Sequence, residues 1–172
     1  TSEMKHFPPL RITGGDGCWL YDADGNRYLD GYASTWTNVH GHGVPELRRA
    51  IVEQLDQVAH STYLGLSHDP GTLLAKRLVD ASPSDLQRVF FSDSGSTAVE
   101  VALKMSLRYW QLKGKPERTT IVAMEGAYHG DTFGTMSLSE DGPFTIPWRK
   151  WAFPVRRFKS PECHEIAGKT TA

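Results

Sequence analysis

Cysteine is scarce in this sequence, with Cys18 and Cys163 as the two examples among 172 residues. They lie far apart in the chain and form no C-x-x-C pair, so the spacing typical of a disulfide framework or a zinc site is missing. A chain of this length is large enough to bury a core without disulfides. We therefore expect both cysteines to be reduced thiols in a reducing compartment.

Long apolar runs and an excess of one charge are also missing. The 19 lysines and arginines nearly balance the 20 aspartates and glutamates, and there is no basic stripe of the kind that binds nucleic acid. The first ten residues, TSEMKHFPPL, lack the order of a signal peptide, and no apolar stretch is long enough to span a bilayer. These absences predict a cytoplasmic protein that binds neither nucleic acid nor a membrane.

Several chemical signatures are absent as well. The sequence has no G-x-S-x-G elbow for a hydrolase nucleophile, and too few glycines near Ser94 for a dinucleotide fingerprint or a P-loop. His40 and His42 alternate with glycine in HGH, but no third ligand or nearby carboxylate accompanies them in the sequence. We therefore predict no metal site.

The first part of the chain carries turn signals followed by helical spacing. Residues 17–34 contain DADGN between short strand-like segments, which predicts a hairpin, and the Gly-, His- and Asn-rich residues 35–45 predict a loop. Apolar residues at helical spacing predict a helix over 45–59 and another over 70–81. The second helix is expected to bury one apolar side, which consists of Leu73, Leu74 and Leu78.

The middle of the chain has the pattern of a parallel sheet. RVFFS (88–92) and TTIVAM (119–124) are short apolar runs without alternation, which is typical of strands covered on both faces. Between them, a helical pattern extends to about Lys113. This order predicts one βαβ unit of a doubly wound α/β sheet. From Asp141 onward, weak periodicity predicts an extended segment.

Ser94, Gly95 and Ser96 lie where the predicted helix begins after a strand. Free backbone N–H groups and the helix dipole favour an anion at such a place, and glycine allows a close approach. Serine and aspartate are also ordinary helix caps. From these residues alone, a phosphate site and a well-made helix start both remain open.

EGAYHGDTFGTMSL (125–138) follows the second predicted strand and should lie beside the first site if the two strands are neighbours. It places an aromatic ring, an imidazole and a carboxylate within four residues, at Tyr128, His129 and Asp131. A ring near a phosphate site can cover a flat heterocycle, whereas a surface loop with an aromatic anchor would have the same sequence. Trp36, among small residues of the earlier loop, is a candidate wall for an apolar ligand.

Four stretches in this order, DADGNRYLDG, HGH, SDSGSTAVEVALK and YHGDTFG, resemble the class III pyridoxal-phosphate aminotransferases of fold type I. The similarity is dense from about Gly17 to Leu138. It implies that residues 1–45 are an N-terminal hairpin segment of a small domain with a substrate loop. Residues 46–172 would be the first, truncated part of a large, mainly parallel-sheet domain that binds pyridoxal 5'-phosphate.

The resemblance also implies a role for each matching residue. Tyr128 would stack on the pyridine ring and border the substrate, and Asp131 would support the geometry of that loop. Trp36 would line the substrate pocket, where the family often has two consecutive tryptophans and this chain has Thr35 before Trp36. The cofactor-binding residues implied in this way are Ser94, Gly95, Ser96, Tyr128, His129 and Asp131.

Within the class, SDSGSTAVEVALKM with YHGDTFGTMSL looks most like the members that act in biotin biosynthesis. These convert 8-amino-7-oxononanoate to 7,8-diaminononanoate, with S-adenosylmethionine as the usual amino donor and lysine in some members, and the full-length enzymes form homodimers. Two alternatives stay open. One is another class III aminotransferase that acts on an ω-amino acid or a diamine, and the other is a non-catalytic phosphate-binding module.

The lysine that forms the Schiff base in this family has no counterpart here. None of the eight lysines of the sequence lies in a fitting motif, and TSEM resembles the end of a motif whose preceding tyrosine is missing. The chain is therefore expected to be an N-terminal piece of an aminotransferase, truncated at both ends. We expect it to be inactive by itself.

Overall fold

The computed structural model describes residues 3–160, 165–166 and 169–170. Its contacts divide the chain into two units, Thr1–Arg77 and Leu78–Ala172. The predicted domain boundary between residues 45 and 46 refers to the domains of a longer protein and stays a prediction. Cys18 is exposed, and Cys163 lies outside the described residues. No helix of the described residues is long and apolar enough to cross a membrane.

The first unit begins with a 3-10 helix, Glu3–Lys5, and a three-stranded antiparallel sheet. Its strands, in spatial order, are β1 (Ile12–Asp16), β2 (Trp19–Asp22) and β3 (Arg27–Leu29). The predicted hairpin is confirmed as β2 and β3. β1 is an addition that the sequence did not indicate, because its ITGGD segment has few β-forming residues.

The predicted loop contains a short helical turn, α1 (Ala33–Trp36), with unusual backbone angles. Two ordinary helices follow, α2 (Pro45–Gln57) and α3 (Asp69–Asp80), close to their predicted bounds. The prediction that α3 buries one apolar side is wrong for this chain, since Leu73, Leu74 and Leu78 are each about half exposed. No other helix or strand of the described residues packs extensively on either helix.

The second unit contains a parallel pair of strands, β4 (Ile121–Met124) and β5 (Val155–Phe158). It begins with the long helix α4 (Gly95–Leu112), and the short helix α5 (Phe133–Leu138) lies in the connection from β4 to β5. A two-stranded antiparallel ribbon, β6 (Glu165–Ile166) and β7 (Lys169–Thr170), follows.

Two predictions for this unit are wrong. The structure assigns no strand to residues 88–92, so the predicted βαβ unit lacks its first strand, and Phe90 is largely exposed. An apolar run becomes a strand when a neighbouring strand completes its hydrogen bonds, and the described parallel sheet consists of β4 and β5 alone. The segment after Asp141 is not simply extended, because it forms a 3-10 helix, Ile146–Trp151, before β5.

The most deeply buried part of the molecule surrounds α5. Ala123 of β4 and Met136 and Leu138 of α5 are buried, and the small polar residues that alternate with Met136 and Leu138 along the chain are fully enclosed. These polar residues are Thr135, Ser137 and Ser139. α5 contacts α4, β4 and the 3-10 helix at Ile146–Trp151. This packing sets the position of the loop between β4 and α5, which carries the second group of predicted site residues.

Candidate functional site

The first part of the candidate site is the beginning of α4. The Ser94 side chain accepts a hydrogen bond from the backbone N–H of Thr97 (3.2 Å), and the Ser94 N–H donates to the Thr97 hydroxyl (3.1 Å), which is a capping box. Within the described residues, the N–H groups of Gly95 and Ser96 and the Ser96 hydroxyl have no hydrogen-bond partner. The helix start therefore offers free donors to an anion.

A carboxylate lies close to these donors. The Thr97 hydroxyl donates to Asp93 (2.6 Å), and this bond, with the backbone N–H of Asp93 itself, lowers the pKa of Asp93. Asp93 is therefore anionic at neutral pH. The negative charge of Asp93 disfavours the binding of a second anion at the beginning of α4. The hydrogen bond from the Thr97 hydroxyl keeps the Asp93 carboxylate beside the capping residues.

The second part is the loop that follows β4, and it lies against α4. A Cβ atom on Gly130 would lie 2.0 Å from the Ser96 hydroxyl oxygen, so the Gly130 backbone touches the beginning of the helix. One helical turn further, Glu100 accepts hydrogen bonds from the Thr132 hydroxyl (2.5 Å) and the Gly134 N–H (2.8 Å). Two glycines four residues apart thus pack on two α4 residues that are also four apart.

Tyr128 and Asp131 form the exposed face of this loop. The Tyr128 side chain is 60% exposed, which leaves its ring available to a ligand. A hydrogen bond with the Asp131 carboxylate raises the pKa of Tyr128 above its usual value, and the negative charge of Asp131 adds to the effect. Tyr128 is therefore a neutral phenol over the physiological pH range.

His129 contributes to the loop through its backbone. It is half-buried, and its backbone N–H donates to the Ser139 hydroxyl (2.9 Å). The Glu140 carboxylate accepts from the Gly126 N–H (2.6 Å), and the Glu140 N–H donates to the Ala127 carbonyl (2.8 Å). The first part of the loop is thereby attached to the turn that follows α5.

Two arginines that the sequence did not indicate fix this turn. Arg149 donates to the carbonyl oxygens of Met136 (2.9 Å) and Ser139 (2.6 Å). Arg157 donates to those of Leu138 and Ser139, both at 2.7 Å. Guanidinium groups thus satisfy the last carbonyls of α5, which have no partner within the helix. Only their place in an irregular segment rich in Arg and Trp could have drawn attention to them.

Trp36 belongs to the first unit. It is 75% exposed and lies at the end of the turn α1. His42 forms a hydrogen bond with Asp30, with 2.8 Å between Nε2 and Oδ2, whereas His40 is exposed. Asp30 lies twelve residues before His42, so the residues around HGH do not indicate this carboxylate. No cluster of three or more potential metal ligands occurs in the described part of the chain.

The structure thus brings Ser94, Gly95 and Ser96 together with the loop of Tyr128, His129 and Asp131. An apolar cavity of about 480 Å³ nearby is lined by none of these six residues. It lies between α4 and the strands, and its lining includes Leu103, Leu107, Ile121 and Phe153. The candidate site itself is an open surface at one end of α4.

The chain is similar to several known proteins. Adenosylmethionine-8-amino-7-oxononanoate aminotransferase from Geobacter sulfurreducens is 44% identical over 162 residues, which are 94% of this chain and 36% of that protein. The crystal structure of the enzyme of the same name from Methanocaldococcus jannaschii is 39% identical, with a TM-score of 0.89 over 94% of this chain and 37% of that chain.

A third relative is an amine transaminase from an uncultivated Pseudomonas species, solved in its PLP-bound form. It is 33% identical, with a TM-score of 0.83 over 95% of this chain and 37% of that chain. The predicted fold type I is confirmed by these likenesses. The chain spans little more than a third of the length of these relatives.

The model of one protein family covers almost the whole sequence. It is the model of the class-III aminotransferases, and it matches residues 1–170. Together with the shared fold and the identities of 33–44%, this match shows that the chain belongs to the class-III aminotransferase family.

Proposed function

We propose that this chain carries the phosphate-binding and ring-covering part of a pyridoxal 5'-phosphate site in an aminotransferase. One observation carries the proposal: the free donors at the beginning of α4 lie in contact with the loop of Tyr128, through Gly130 and Ser96. A ligand that carries both a phosphate and an aromatic heterocycle would need hydrogen-bond donors for the phosphate and, close to them, a flat side chain for the ring. The family relationship supports the same assignment.

The residues at the helix start fit a phosphate group. α4 is 18 residues long, so its dipole and its first N–H groups favour an anion. The Ser94 hydroxyl is already engaged in the capping box, which leaves Ser96 as the free hydroxyl donor. Gly95 has open space where a Cβ would be, so the backbone there can be approached closely.

The residues of the loop fit an aromatic ring. Tyr128 presents an exposed ring whose hydroxyl is tied to Asp131, so its orientation is restricted before any ligand binds. The phenol of Tyr128 is neutral at physiological pH, so Tyr128 can stack on a ring without adding charge. His129 holds the loop through its backbone N–H.

Pyridoxal phosphate, when bound, supplies the electron sink that amino-group transfer needs. The contribution of this chain is to bind the phosphate at Gly95 and Ser96, and to orient the ring and border the substrate with Tyr128. For Trp36, a place at the substrate pocket is proposed from the family resemblance alone. None of the eight lysines lies in a motif that fits the Schiff-base role. We therefore propose that the 172 residues alone have no transaminase activity.

For the whole protein, we propose amino transfer to 8-amino-7-oxononanoate, with S-adenosylmethionine as the donor. The support comes from relatives named for this reaction, which are 40–49% identical to this chain. The proposal includes a homodimer, as the family resemblance implies, and a cytoplasmic location. A class III enzyme for an ω-amino acid is the alternative, and solved ω-transaminases have similar structures at 26–35% identity.

The test measures cofactor binding and substrate choice separately. Pyridoxal phosphate is titrated into the protein by absorbance and fluorescence, and Ser96→Ala and Tyr128→Leu, which removes the aromatic ring, are compared with Ser106→Ala, an exposed serine of the same helix. We expect Ser96→Ala to weaken binding by roughly tenfold, the value of one lost hydrogen bond to a charged group. Equal binding by all three variants would contradict the proposed site.

Substrate choice is measured with the complete gene product. Faster amino transfer to 8-amino-7-oxononanoate than to the keto partners of ornithine or 4-aminobutyrate supports the biotin-pathway assignment. The reverse order would assign the protein to the alternative group. Borohydride treatment of residues 1–172 with pyridoxal phosphate should leave no lysine with a pyridoxyl adduct above the level of denatured chain.

A further inference from the structure

The turn that carries Trp36 has a strained backbone. All four residues of α1 have φ in the left-handed region, from 48° at Ser34 to 67° at Trp36, and none of them is glycine. For L-residues this conformation costs roughly 1–2 kcal/mol each, so an isolated peptide would not adopt it. Such strain persists only where the surroundings fix it. The contacts of this turn therefore show what holds Trp36 in place.

Asp30 is the main anchor of the turn. Its carboxylate accepts hydrogen bonds from the Ser34 N–H (2.8 Å) and the Ser34 hydroxyl (2.7 Å). Its second oxygen also lies 2.8 Å from Nε2 of His42. The Asp30 side chain is only 4% exposed. These bonds lower the pKa of Asp30, the Ser34 contacts more than the His42 contact.

His42 is in turn held by the hairpin. Its backbone N–H and carbonyl exchange hydrogen bonds with Gly17, at 2.7 and 3.0 Å. Its ring fills the space beside Gly15, where a Cβ would lie 2.8 Å from the imidazole. The sheet therefore fixes His42, His42 fixes the Asp30 carboxylate, and Asp30 fixes the left-handed turn.

We propose that Asp30 and His42 are positioning residues that hold the Trp36 indole in the orientation needed for substrate recognition. A large aromatic side chain that is three-quarters exposed gains no packing from the strained turn beneath it. The strained backbone is explained if a fixed indole is useful. An aromatic side chain that is already ordered binds a ligand without the entropic cost of ordering that side chain. This inference rests on the proposed role of Trp36 at the substrate.

The first test follows the indole itself, without activity. The complete protein is labelled with 5-fluorotryptophan, and the signal that Trp36→Phe removes from the fluorine NMR spectrum is assigned to Trp36. We expect Asp30→Ala and His42→Phe to shift and broaden the Trp36 signal. Unchanged signals from Trp110, Trp148 and Trp151 show that the second unit remains folded. His40→Phe, an exposed histidine of the same loop, is the matched control and should leave the Trp36 signal in place.

A Trp36 signal with the wild-type position and width in both Asp30→Ala and His42→Phe would overturn the proposal. If Asp30→Ala does not fold, His42→Phe and Ser34→Ala decide, since each removes one bond and keeps the others. Ser34→Ala is expected to shift the signal less than Asp30→Ala would.

The second test measures whether the contact between Asp30 and His42 affects substrate recognition. In the complete enzyme, His42→Phe should raise KM for the amino acceptor by roughly tenfold, while the Kd of pyridoxal phosphate stays within about twofold. An equal loss of cofactor affinity would show a general structural role and overturn the recognition role. If the protein transfers no amino groups at all, the proposed function fails, and the fluorine spectra still decide whether Asp30 and His42 fix Trp36.

Discussion

Gly130 and Ser96 are in such close contact that a Cβ atom on Gly130 would lie 2.0 Å from the Ser96 hydroxyl oxygen and 2.8 Å from the Ser96 Cβ. The hydroxyl can rotate away, but the Ser96 Cβ cannot. Gly130 also has φ of +122°, which L side chains rarely adopt. The loop of Tyr128 can therefore lie on α4 only with glycine at this position.

Gly130→Ala is expected to lower the free energy of unfolding by about 2–4 kcal/mol, because overpacking and backbone strain add. It should also weaken pyridoxal phosphate binding, since the Tyr128 loop moves away from α4. Urea unfolding and a cofactor titration measure the two effects.

Gly126→Ala is the matched control for this prediction. Gly126 also has a positive φ, +72°, but has open space around its Cβ position, so alanine there causes strain without a clash. We expect it to cost about 1–2 kcal/mol. The double variant Ser96→Gly/Gly130→Ala should regain the stability by which Gly130→Ala falls below Gly126→Ala. If the effects of Ser96→Gly and Gly130→Ala on the free energy of unfolding simply add, the close contact is contradicted.

Glu100 is expected to tie the same loop to α4 by hydrogen bonding. One oxygen accepts from both the Thr132 hydroxyl and the Gly134 N–H, so Glu100→Ala leaves two donors without this acceptor. We expect a loss of about 1.5–3 kcal/mol in urea unfolding. Glu100→Gln keeps an oxygen in place and should recover most of the loss, and Thr132→Val should cost less than Glu100→Ala. Equal losses for the alanine and glutamine variants would contradict this account.

The elements that could be predicted from the sequence are those specified by nearby residues. DADGN closes the hairpin through the Asp22 carboxylate, which binds backbone N–H groups two and four residues away. α2 begins at Pro45 and α4 at its Ser94 cap, each as the local pattern indicates. The contact between the helix start and the Tyr128 loop is present. The sequence predicted it only if residues 88–92 and 119–124 were neighbouring strands, and residues 88–92 form no strand.

What could not be predicted depends on residues distant in the sequence. RVFFS has the composition of a buried strand, but a strand also needs a neighbour, and the described parallel sheet has its two strands elsewhere. Arg149 and Arg157 cap α5 from 10–20 residues away, within a segment that has no periodicity. The bond between Glu100 and Gly134 spans 34 residues. Local patterns contain no information on such contacts.

Asp22 should make the free energy of unfolding depend on pH in the acidic range. The Asn26 side chain, with the Tyr28 hydroxyl and two backbone N–H groups, lowers the pKa of Asp22 from 3.8 to about 2. The unfolded chain therefore takes up this proton at a higher pH than the folded chain does. The stabilisation is complete above about pH 4 and is lost as the pH falls through about 2.

Urea unfolding between pH 5 and about pH 2 compares the protein with Asp22→Asn and Asn26→Ala. The free energy of unfolding should fall more steeply for the wild type than for Asp22→Asn, because asparagine takes up no proton. Asn26→Ala removes the largest cause of the low pKa and should give an intermediate slope. Parallel curves for all three proteins would show that Asp22 is not the group responsible.

Ser94 and Ser96 are expected to have different functions although they are two residues apart. Ser94 completes the capping box with Thr97, whereas the Ser96 hydroxyl has no partner within the described residues. Ser94→Ala should therefore cost about 1 kcal/mol of stability, the usual value of a helix cap. Ser96→Ala should change stability by less than about 0.5 kcal/mol.

Ligand binding should show the reverse order. If Ser96 donates to the phosphate, Ser96→Ala weakens pyridoxal phosphate by roughly tenfold and leaves pyridoxal, which has no phosphate, unaffected. Ser94→Ala keeps the free donors at Gly95 and Ser96, so its affinity for pyridoxal phosphate should fall less. If Ser96→Ala weakened both ligands equally, Ser96 would act through the shape of the loop at Gly130 and not through the phosphate. Phosphate binding would then depend on the backbone N–H groups and the dipole of α4 alone.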